Sequence, residues 1–481
     1  GQPKMDLVEL FVRAIFPILN LFANLVRKIS CCSCCCYHKF FCKKKSFEEK
    51  KKEISELVKR NRNGGTQMQL GGKKTTNLFR TRVSTSKTFK IDVSGFNNPI
   101  SLDEEKQVCH VEGMTTYEDL VDFTLKFGYM PTVVPELKSI TIGGAISGVG
   151  IESSSFKYGL VHETIQELEV LLSDGNVVIC SPNNEHKDLF HAMPNSYGTL
   201  GYALRVAVRV VPVKKYVQVR HFRFNDSESV FREFKVVCND CTNDFVDGVV
   251  FDENELYITL GKFTDSAPYV SNYKDLNIYY KSIQTRNTDY LTVRDYIWRW
   301  DTDWFWCSRY FYMQNYLVRC AFALLGKLRS VTYMWIWRTY LGMGLYKQPR
   351  EFVIQDVELP IDNCAEFLKF FHRDIGIKPV WMCPLTSYHD NPKFPLYCMK
   401  PKQLYINFGF WDTVEAKGEK DRANRLVERE VTRLDGKKSL YSTVHYTEEE
   451  FWKNYNQEQY NKVKAIYDPK KYFLDLYEKT V

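Results

Sequence analysis

The chain has 481 residues, more than one ordinary hydrophobic core organises, so two packed domains and a tail are expected. Hydrophobic residues make up 44% of it, charged residues 26% and aromatic residues 15%, which excludes an intrinsically disordered chain. The net charge of +8 is concentrated in one short stretch, and no nucleic-acid-binding motif accompanies it, so nucleic acid is not an expected partner.

The N-terminal segment from Met5 to Arg27 is mostly apolar and is long enough to span a bilayer. Asp6, Glu9 and Pro17 interrupt it, so a helix that lies in the membrane interface is the alternative. The segment therefore predicts a membrane-associated helix, with spanning and interfacial placement both open. It lacks the early basic region of a secretory signal.

A cysteine cluster and a basic stretch follow this helix. Cysteines beside a membrane helix are sites of S-palmitoylation, and an acyl chain next to basic residues gives stable anchoring. A metal knuckle with His38 is the alternative, but such closely spaced thiols leave too little chain to wrap one tetrahedral ion. An anionic lipid surface is the expected partner of the basic stretch. The two groups are Cys31, Cys32, Cys34, Cys35, Cys36 and Cys42, and Lys43, Lys44, Lys45, Lys50, Lys51, Lys52, Lys59, Arg60 and Arg62.

The remaining cysteines are scattered, mostly singly, which indicates reduced thiols and a protein that faces the cytosol. Cys238 and Cys241 have CxxC spacing without a second pair nearby. No metal site is therefore predicted.

Beyond the tail, periodicity predicts a helix from Phe47 to Asn61 and then shifts to short alternating stretches typical of strands. An Asp-Gly turn predicts a hairpin at 167–180. This alternation of helices and strands indicates an α+β fold. The predicted strands are 89–93, 108–111, 167–172, 176–180, 202–211, 248–251 and 256–260, with a helix at 116–127.

The most informative segment, residues 135–159, is rich in glycine. Gly143, Gly144, Gly148 and Gly150 lack the Cβ atoms that would hold a pyrophosphate or isoalloxazine edge away from the backbone amides. The spacing is neither a Walker loop nor GxGxxG, so a run of tight turns without a ligand is the alternative.

Taken in order, the motifs of this region resemble the FAD-binding (PCMH-type) module of the vanillyl-alcohol-oxidase superfamily, and within it the sterol Δ24-reductase family. Similar motifs continue to the C-terminal part, so the resemblance spans nearly the whole folded chain from about Ser46 onward. The motifs are Pro135-Glu-Leu, Thr141-Ile-Gly-Gly, Gly148-Val-Gly-Ile-Glu-Ser-Ser-Ser, Lys157-Tyr-Gly-Leu, Ser173-Asp-Gly, Asp188-Leu-Phe, Gly198-Thr-Leu-Gly, Val211-Pro-Val-Lys-Lys-Tyr, Ile354-Gln-Asp-Val-Glu-Leu-Pro360, Pro379-Val-Trp-Met-Cys-Pro384, Leu404-Tyr-Ile-Asn and Glu449-Glu-Phe-Trp452.

The resemblance implies a two-subdomain FAD-binding domain at 46–213 and an α+β substrate (cap) domain with a C-terminal segment at 214–481, after a membrane-associated helix and Cys-rich, basic segment at 1–45. FAD, bound without a covalent link, would lie between the two domains, with NADPH as electron donor. The implied activity is reduction of the side-chain Δ24 double bond of a sterol. The implied cofactor-binding residues are Thr141, Ile142, Gly143, Gly144, Ala145, Ile146, Ser147, Gly148, Val149, Gly150, Ile151, Glu152 and Ser153.

Two other functions stay open. One is another flavin-linked oxidoreductase of the superfamily, of the sugar-lactone oxidase or ether-lipid synthase type, and the other is an inactive membrane-anchored scaffold that binds flavin. Phe156 favours the scaffold, because the family commonly has His before Lys-Tyr-Gly. The stretch from Gly71 to Arg80 also departs from the superfamily's first phosphate loop.

Reduction of an isolated alkene needs a hydride on one carbon and a proton on the other. The candidate proton donors are Tyr446, His445, Tyr441 and Glu152, and none stands out. We expect a sterol and a membrane lipid surface as partners, with a homo-oligomer left open. The expected location is the membrane of the endoplasmic reticulum, with the catalytic domain facing the cytosol.

A strongly aromatic block covers 297–306 and 309–312 and resumes at 335–337. Tyr and Trp combine an apolar body with a polar tip, which suits a sterol pocket or a lipid surface. Ordinary core and interdomain packing is the alternative.

Overall fold

The computed structural model describes residues 14–27, 45–62, 66–71, 79, 88–343, 350–387 and 393–481. The cysteine cluster at 31–42 and most of the loop at 71–80, which the sequence singles out, lie outside these residues.

Helices pack around two antiparallel sheets. The helices are α1 (14–27), α2 (Phe47–Asn61), α3 (Tyr117–Thr124), α4 (Ile142–Ser147), α5 (Ser155–Tyr158), α6 (Lys187–Ala192), α7 (Ser227–Asp240), α8 (Tyr279–Ile283), α9 (Val293–Ile297), α10 (Tyr316–Leu324), α11 (Ser330–Gly342), α12 (Cys364–Asp374), α13 (Arg422–Arg433), α14 (Glu448–Tyr455), α15 (Gln457–Tyr467) and α16 (Leu476–Thr480). Single 3₁₀ turns lie at Leu125–Phe127, Val161–Thr164, Cys307–Phe311, Ile361–Asn363 and Pro395–Tyr397.

The first sheet has six strands in the order β3-β4-β8-β6-β7, with β5 paired to β8. Its long central strand, β8, alternates buried and partly exposed side chains and pairs with three neighbours. The Asp-Gly turn joins β6 to β7, as the sequence predicts. The strands are β3 (Pro99–Asp103), β4 (Val108–Glu112), β5 (Tyr129–Pro131), β6 (Ile165–Leu171), β7 (Val177–Cys180) and β8 (Tyr202–Pro212).

The second sheet has eight strands in the order β12-β9-β11-β10-β14-β15-β13-β16, all antiparallel. The chain passes from the first sheet to the second between Pro212 and Tyr216. The strands are β9 (Tyr216–Phe224), β10 (Phe245–Asp252), β11 (Glu255–Thr264), β12 (Thr288–Thr292), β13 (Arg350–Pro360), β14 (Val380–Thr386), β15 (Leu404–Glu415) and β16 (Lys437–Lys438).

Strands β1 (Met68–Gly71) and β2 (Phe89–Asp92) form a small parallel pair. At Met68 this pair also contacts the C-terminal segment through a bridge to Phe473. The Met68 amide donates to the Tyr472 carbonyl at 2.7 Å. Helix α2 packs nearby through Ile54 and Val58 and begins at a capping box formed by Ser46 and Glu49, which fixes its first turn.

The basic residues that the sequence assigns to a lipid surface are partly neutralised within the fold. Lys50 pairs with Glu112, and Lys51 lies 3.1 Å from Glu169. Lys45 lies 2.6 Å from Glu53. Lys50 and Lys51 therefore help to seat α2 on the first sheet, whereas Lys45 pairs with a residue of α2 itself.

The arrangement of helices and antiparallel sheets agrees with the α+β fold predicted from the sequence. The predicted helix at 116–127 is present as α3 with its 3₁₀ extension, and Thr116 caps it. The apolar N-terminal segment is helical over 14–27. Among the residues that the structure describes, no helix has both the length and the apolar composition needed to cross a bilayer.

Candidate active site

The glycine-rich segment forms helix α4, whose two faces differ sharply in residue size. Ile142, Ala145 and Ile146 are buried in the main core, as the 3.6-residue period requires. The opposite face, which is partly or fully exposed, carries nothing larger than a hydroxymethyl group: Gly143, Gly144, Ser147 and Gly148. This open face lets a flat or charged group approach the backbone closely.

The first amides of α4 are already bonded within the protein. Ile142 donates to the Thr115 carbonyl at 3.0 Å, and Gly143 donates to the Gly113 carbonyl at 2.8 Å. The Gly144 amide donates to Thr141 Oγ1 at 3.3 Å. A bound cofactor would therefore contact the open face of α4 rather than the N-terminal amides of the helix.

Two glycines of the segment are required by packing. A Cβ at Gly143 would lie 2.7 Å from the Gly113 carbonyl oxygen, and one at Gly150 would lie 3.0 Å from the Pro135 ring. These glycines hold α4 tightly against the neighbouring loops, so part of the glycine pattern serves the fold.

The turn after α4 is conformationally strained. Val149 is buried and has a φ of 52°, in the left-handed region that a β-branched residue rarely adopts. Opposite it, Tyr197 has a φ of 49°, and its amide donates to the Ser147 carbonyl at 3.3 Å. Strain of this kind concentrates at functional sites, which supports a ligand-binding role for the turn.

Past this turn, the segment inserts into the second sheet. Ile151, Glu152 and Ser153 are buried, and the Ser153 carbonyl accepts a hydrogen bond from the amide of Val246 in β10 at 2.8 Å. Ser153 Oγ lies 3.2 Å from Tyr296 Oη. The end of the predicted cofactor segment is therefore part of the junction between the sheets.

A buried charge cluster lies at this junction. Arg299 Nη2 lies 2.8 Å from Glu152 Oε1 and 2.8 Å from Asp247 Oδ2. The indole nitrogens of Trp381 and Trp300 also donate to Asp247 Oδ2, at 3.2 and 3.4 Å. Burial raises the pKa of Glu152, although the Arg299 charge opposes this. The Arg299 guanidinium binds both carboxylates and thereby holds Glu152 in place.

Glu136 is a second buried carboxyl beside this cluster. Burial raises the pKa of Glu136 well above its ordinary value, and the nearby Glu152 raises it further. Glu136 Oε1 has no hydrogen-bond partner among the described residues. Burial and the neighbouring carboxylates thus favour the protonated form of Glu136, and one of its oxygens is unengaged among the described residues.

A third group projects from the second sheet toward the same region. Asp356 of β13 accepts hydrogen bonds from Asn407 and Tyr441, each at 2.8 Å. The Trp411 indole donates to Tyr441 Oη at 2.9 Å. Burial raises the pKa of Asp356 to about 6, and its charge contributes to the raised pKa of Glu136. Burial and the Asp356 charge together raise the pKa of Tyr441 well above its ordinary value.

His445 and Tyr446 belong to another cluster. The His445 amide donates to Glu428 Oε1 at 3.0 Å, and Tyr446 Oη donates to the Glu428 carbonyl at 3.4 Å. Glu428 is paired with the buried Lys438 at 2.5 Å. Burial lowers the pKa of His445 to about 4. Of the four candidate donors, the structure associates Glu152 with the glycine-rich segment and Tyr441 with Asp356, and it sets His445 and Tyr446 apart from both.

Phe156 packs into the apolar core of the second sheet. It is 3% exposed and belongs to a cluster that includes Val230, Phe234 and Phe408. In the sequence, Phe156 stands where the resembled family commonly has a histidine, which suggests that a polar function is lost. In the structure, the side chain packs in the core and anchors α5.

Several buried polar atoms lack a hydrogen-bond partner in the segments that precede α4 and in the charge cluster at the junction. Thr115 Oγ1, Ser139 Oγ, Glu136 Oε1 and Arg299 Nε all lack a partner among the described residues. Buried polar groups are normally hydrogen-bonded, so such a concentration is expected where a polar ligand completes the site. The chain therefore fits a large cofactor that carries both donors and acceptors.

Comparison with known proteins agrees with this geometry. A family model described as "FAD binding domain" matches residues 48–181. Delta(24)-sterol reductase of Homo sapiens is 29% identical over 419 residues, which cover 82% of this chain and 78% of the human protein. A Delta(24)-sterol reductase homolog of Caenorhabditis elegans is 26% identical over 442 residues, covering 83% and 78% of the two chains. Delta(24)-sterol reductase of Arabidopsis thaliana is 24% identical over 435 residues, covering 82% and 76%.

The chain is similar to the Delta(24)-sterol reductases over most of its length. The resemblance deduced from the sequence is thereby confirmed, and with the FAD-binding domain it identifies an FAD-dependent oxidoreductase. The aligned length exceeds the flavin domain and reaches into the second sheet.

Sequence reasoning missed three buried residues that interact electrostatically in this structure: Glu136, Arg299 and Asp356. Glu136 and Asp356 lie in motifs that carry the resemblance, Pro135-Glu-Leu and Ile354-Gln-Asp-Val-Glu, but nothing in either motif indicates burial. Arg299 lies within the aromatic block, between two tryptophans. A charged residue at such a position is the sequence feature that indicates a buried ion pair. Within the described part of the chain, no group of His, Cys, Asp and Glu side chains could hold a metal ion.

Proposed function

We propose that the chain is an FAD-dependent reductase that uses NADPH to saturate the side-chain Δ24 double bond of a sterol. The observation that carries the proposal is the homology to enzymes named Delta(24)-sterol reductase over 82% of the chain. If the chain were a flavin-binding domain joined to an unrelated second domain, its alignment with these enzymes would cover the flavin-binding domain alone.

The residues that would hold FAD are those of the open face of α4 together with the unpartnered hydroxyls beside it. Gly144 and Ser147 admit the cofactor to the backbone, and Thr115 and Ser139 offer hydroxyl groups. When bound, FAD supplies the hydride that reaches one alkene carbon. The chain must then provide the proton for the other carbon and keep water away.

Glu136 is the proton donor that the geometry supports best. It is buried, burial raises its pKa well above the ordinary value and so favours the protonated form, and Oε1 has no hydrogen-bond partner among the described residues. In the proposed step the Glu136 carboxyl proton moves to the second alkene carbon as the π bond breaks and two C–H bonds form. The positive charge of Arg299 then stabilises the resulting carboxylate, which regains a proton from solvent.

Tyr441 is a weaker donor because its hydroxyl is engaged. It donates to Asp356, and loss of its proton would place a phenolate beside that carboxylate. We assign Tyr441 and Asp356 to positioning the wall of the site that the second sheet contributes.

The proposal includes association with the membrane of the endoplasmic reticulum, with the catalytic domain facing the cytosol, because sterols reside in membranes. The described cysteines support the cytosolic orientation, since each is a free thiol. They are Cys109, Cys180, Cys238, Cys241, Cys307, Cys320, Cys364, Cys383 and Cys398.

The test is product analysis with the purified full chain. Incubation with FAD, NADPH and a Δ24-unsaturated sterol in detergent should give a sterol that is heavier by two hydrogens in mass spectrometry. A saturated-side-chain sterol and a reaction without NADPH are the controls. A flavin-loaded protein that leaves the alkene intact, or one that instead forms peroxide with a sugar lactone precursor, would overturn the proposal.

A further inference from the structure

The outward face of helix α1 is more apolar than the face that it presents to the protein. Phe16, Ala23 and Arg27 are wholly or partly covered, and Phe16 belongs to the main core. The exposed stripe recurs at the spacing of one helix face. It contains Ile18 at 71% exposure, Leu19 at 45%, Leu21 at 75%, Phe22 at 67%, Leu25 at 55% and Val26 at 46%. A helix that met water on this side would show the reverse pattern.

Helix α1 lies against the turn between α10 and α11. The Arg27 guanidinium occupies the space beside Gly326, where an added Cβ would lie 2.0 Å from Arg27 Nη1. Leu325, next to this glycine, is 64% exposed, and Trp335 on α11 is 67% exposed. The apolar surface of α1 therefore continues onto α10 and α11.

The segments that form this surface carry charge of one sign, since residues 14–27 and 304–343 contain no Asp or Glu. Lys327 and Arg338 are exposed in the second segment, and Arg27 ends the first. The acidic Glu118 of α3 lies nearby and is paired with Arg329 of the α10–α11 turn at 2.5 Å. An apolar face with an excess of basic residues at its rim matches the chemistry of a bilayer that carries anionic headgroups.

We propose that the outward faces of α1 and of the α10–α11 turn form one docking surface for an anionic lipid membrane. The surface places part of the folded body, and not the N-terminal helix alone, in the lipid interface. A second copy of the chain is a poorer occupant, because a symmetric contact would bring the same excess of basic residues face to face, while the nearby Glu118 is already paired with Arg329. This inference is independent of the reaction catalysed.

The tryptophans allow a direct test. Of the nine in the chain, Trp335 is the exposed one, Trp337 is partly exposed, and the other seven are buried. Quenching of tryptophan emission by bromine atoms on lipid acyl chains therefore reports chiefly on Trp335.

The experiment uses the full flavin-loaded chain and vesicles of phosphatidylcholine with phosphatidylserine, with and without brominated acyl chains. We expect the emission of vesicle-bound protein to be lower on brominated vesicles, and Trp335→Phe to lose most of that difference. Trp452→Phe, which removes a buried indole, is the matched control and should keep it. Flavin content and melting temperature verify that both variants fold.

Bound protein whose emission is equal on both kinds of vesicle would overturn the proposal, since α1 alone would then hold the membrane. Failure to bind these vesicles, or equal binding to phosphatidylcholine alone, would overturn the anionic lipid surface as the occupant. A doubled mass in lipid-free solution, with Trp335 shielded from iodide, would assign the face to a second copy instead.

Discussion

Glu136 and Glu152 are two buried carboxyls in the same region, and their partners give them different roles. Glu152 is fixed by the guanidinium of Arg299 at 2.8 Å, whereas Glu136 Oε1 has no partner among the described residues. A proton donor must be able to turn toward its substrate, so the unengaged carboxyl suits that role better.

Glu136→Gln should slow the sterol-dependent step by roughly 100-fold or more, the usual contribution of a general acid. Reduction of the flavin by NADPH should be unchanged, because no proton is delivered to substrate in that half-reaction. Stopped-flow absorbance separates the two steps. Glu358→Gln, which removes another buried carboxyl that the structure places with Tyr397, is the control. Equal rates for Glu136→Gln and wild type would exclude Glu136 as the donor.

Arg299→Met should lower the free energy of unfolding by about 3–5 kcal/mol, because it leaves Glu152 and Asp247 buried without their counter-ion. Thermal melting of the flavin-loaded protein measures the loss. Arg433→Met, which removes the ion pairs of an exposed guanidinium with Glu366 and Glu430, should leave the melting temperature nearly unchanged. Similar melting temperatures for Arg299→Met and wild type would show that the cluster does not stabilise the junction.

Phe156→His tests whether this position limits catalysis. The side chain lies in an apolar core, so an imidazole there should cost about 1–3 kcal/mol of folding free energy and should not raise sterol turnover. Phe156→Met is the apolar control. A stable Phe156→His variant with faster turnover would favour the view that the chain has lost a catalytic histidine.

At this scale the sequence predicts residue types better than residue roles. Glu152 and the glycines could be selected from their motif, because spacing alone shows that small residues free the backbone. The raised pKa of Glu136 could not be predicted, since it depends on tertiary burial and on the charge of residues such as Asp356, which lies more than 200 positions later.

Among the elements, β13 and its neighbours contain a buried carboxyl outside the site whose contribution to stability falls as pH rises. Glu358 is buried on β13, where Tyr397 donates to one carboxyl oxygen and Ser439 to the other. Burial raises the pKa of Glu358 to about 8. Because the folded-state pKa lies above the unfolded value, this group stabilises the fold fully below about pH 4.5, and the contribution is lost as pH rises through about 8.

Glu358→Gln should therefore flatten the dependence of melting temperature on pH between about 5 and 8. A shift of this size corresponds to on the order of 5 kcal/mol, so the difference from wild type should be readily measured. Glu415→Gln, at an exposed position on the adjacent strand β15, should follow the wild-type curve. Parallel curves for Glu358→Gln and wild type would contradict the raised pKa.

Local elements of the fold follow from local sequence, whereas the order of the strands does not. Helix α2 begins at a capping box that is visible in the sequence, and β6 and β7 meet at an Asp-Gly turn. In contrast, β10 pairs with β14, so that Gly248 faces Met382 across the sheet. No periodicity encodes a pairing over such a separation, because it is set by competition among many apolar strands.

At the scale of the whole molecule, the two sheets meet where the glycine-rich segment leaves α4. The Ser153 carbonyl hydrogen-bonds to β10, Arg299 joins Glu152 to Asp247, and the charge of Asp356 on the second sheet acts on Glu136. A cofactor held at α4 would therefore lie beside this junction, where buried residues of both sheets could exclude water from it. The similarity to the Delta(24)-sterol reductases likewise extends beyond the first sheet.

The measurement that tests this account most directly is the visible spectrum of the purified full chain under anaerobic conditions, first with NADPH and then with a Δ24-unsaturated sterol. The account predicts flavin bands that bleach on addition of NADPH and return when the sterol is added, but not when a sterol with a saturated side chain is added. Bands that NADPH cannot bleach, or that stay bleached in the presence of the unsaturated sterol, would contradict it.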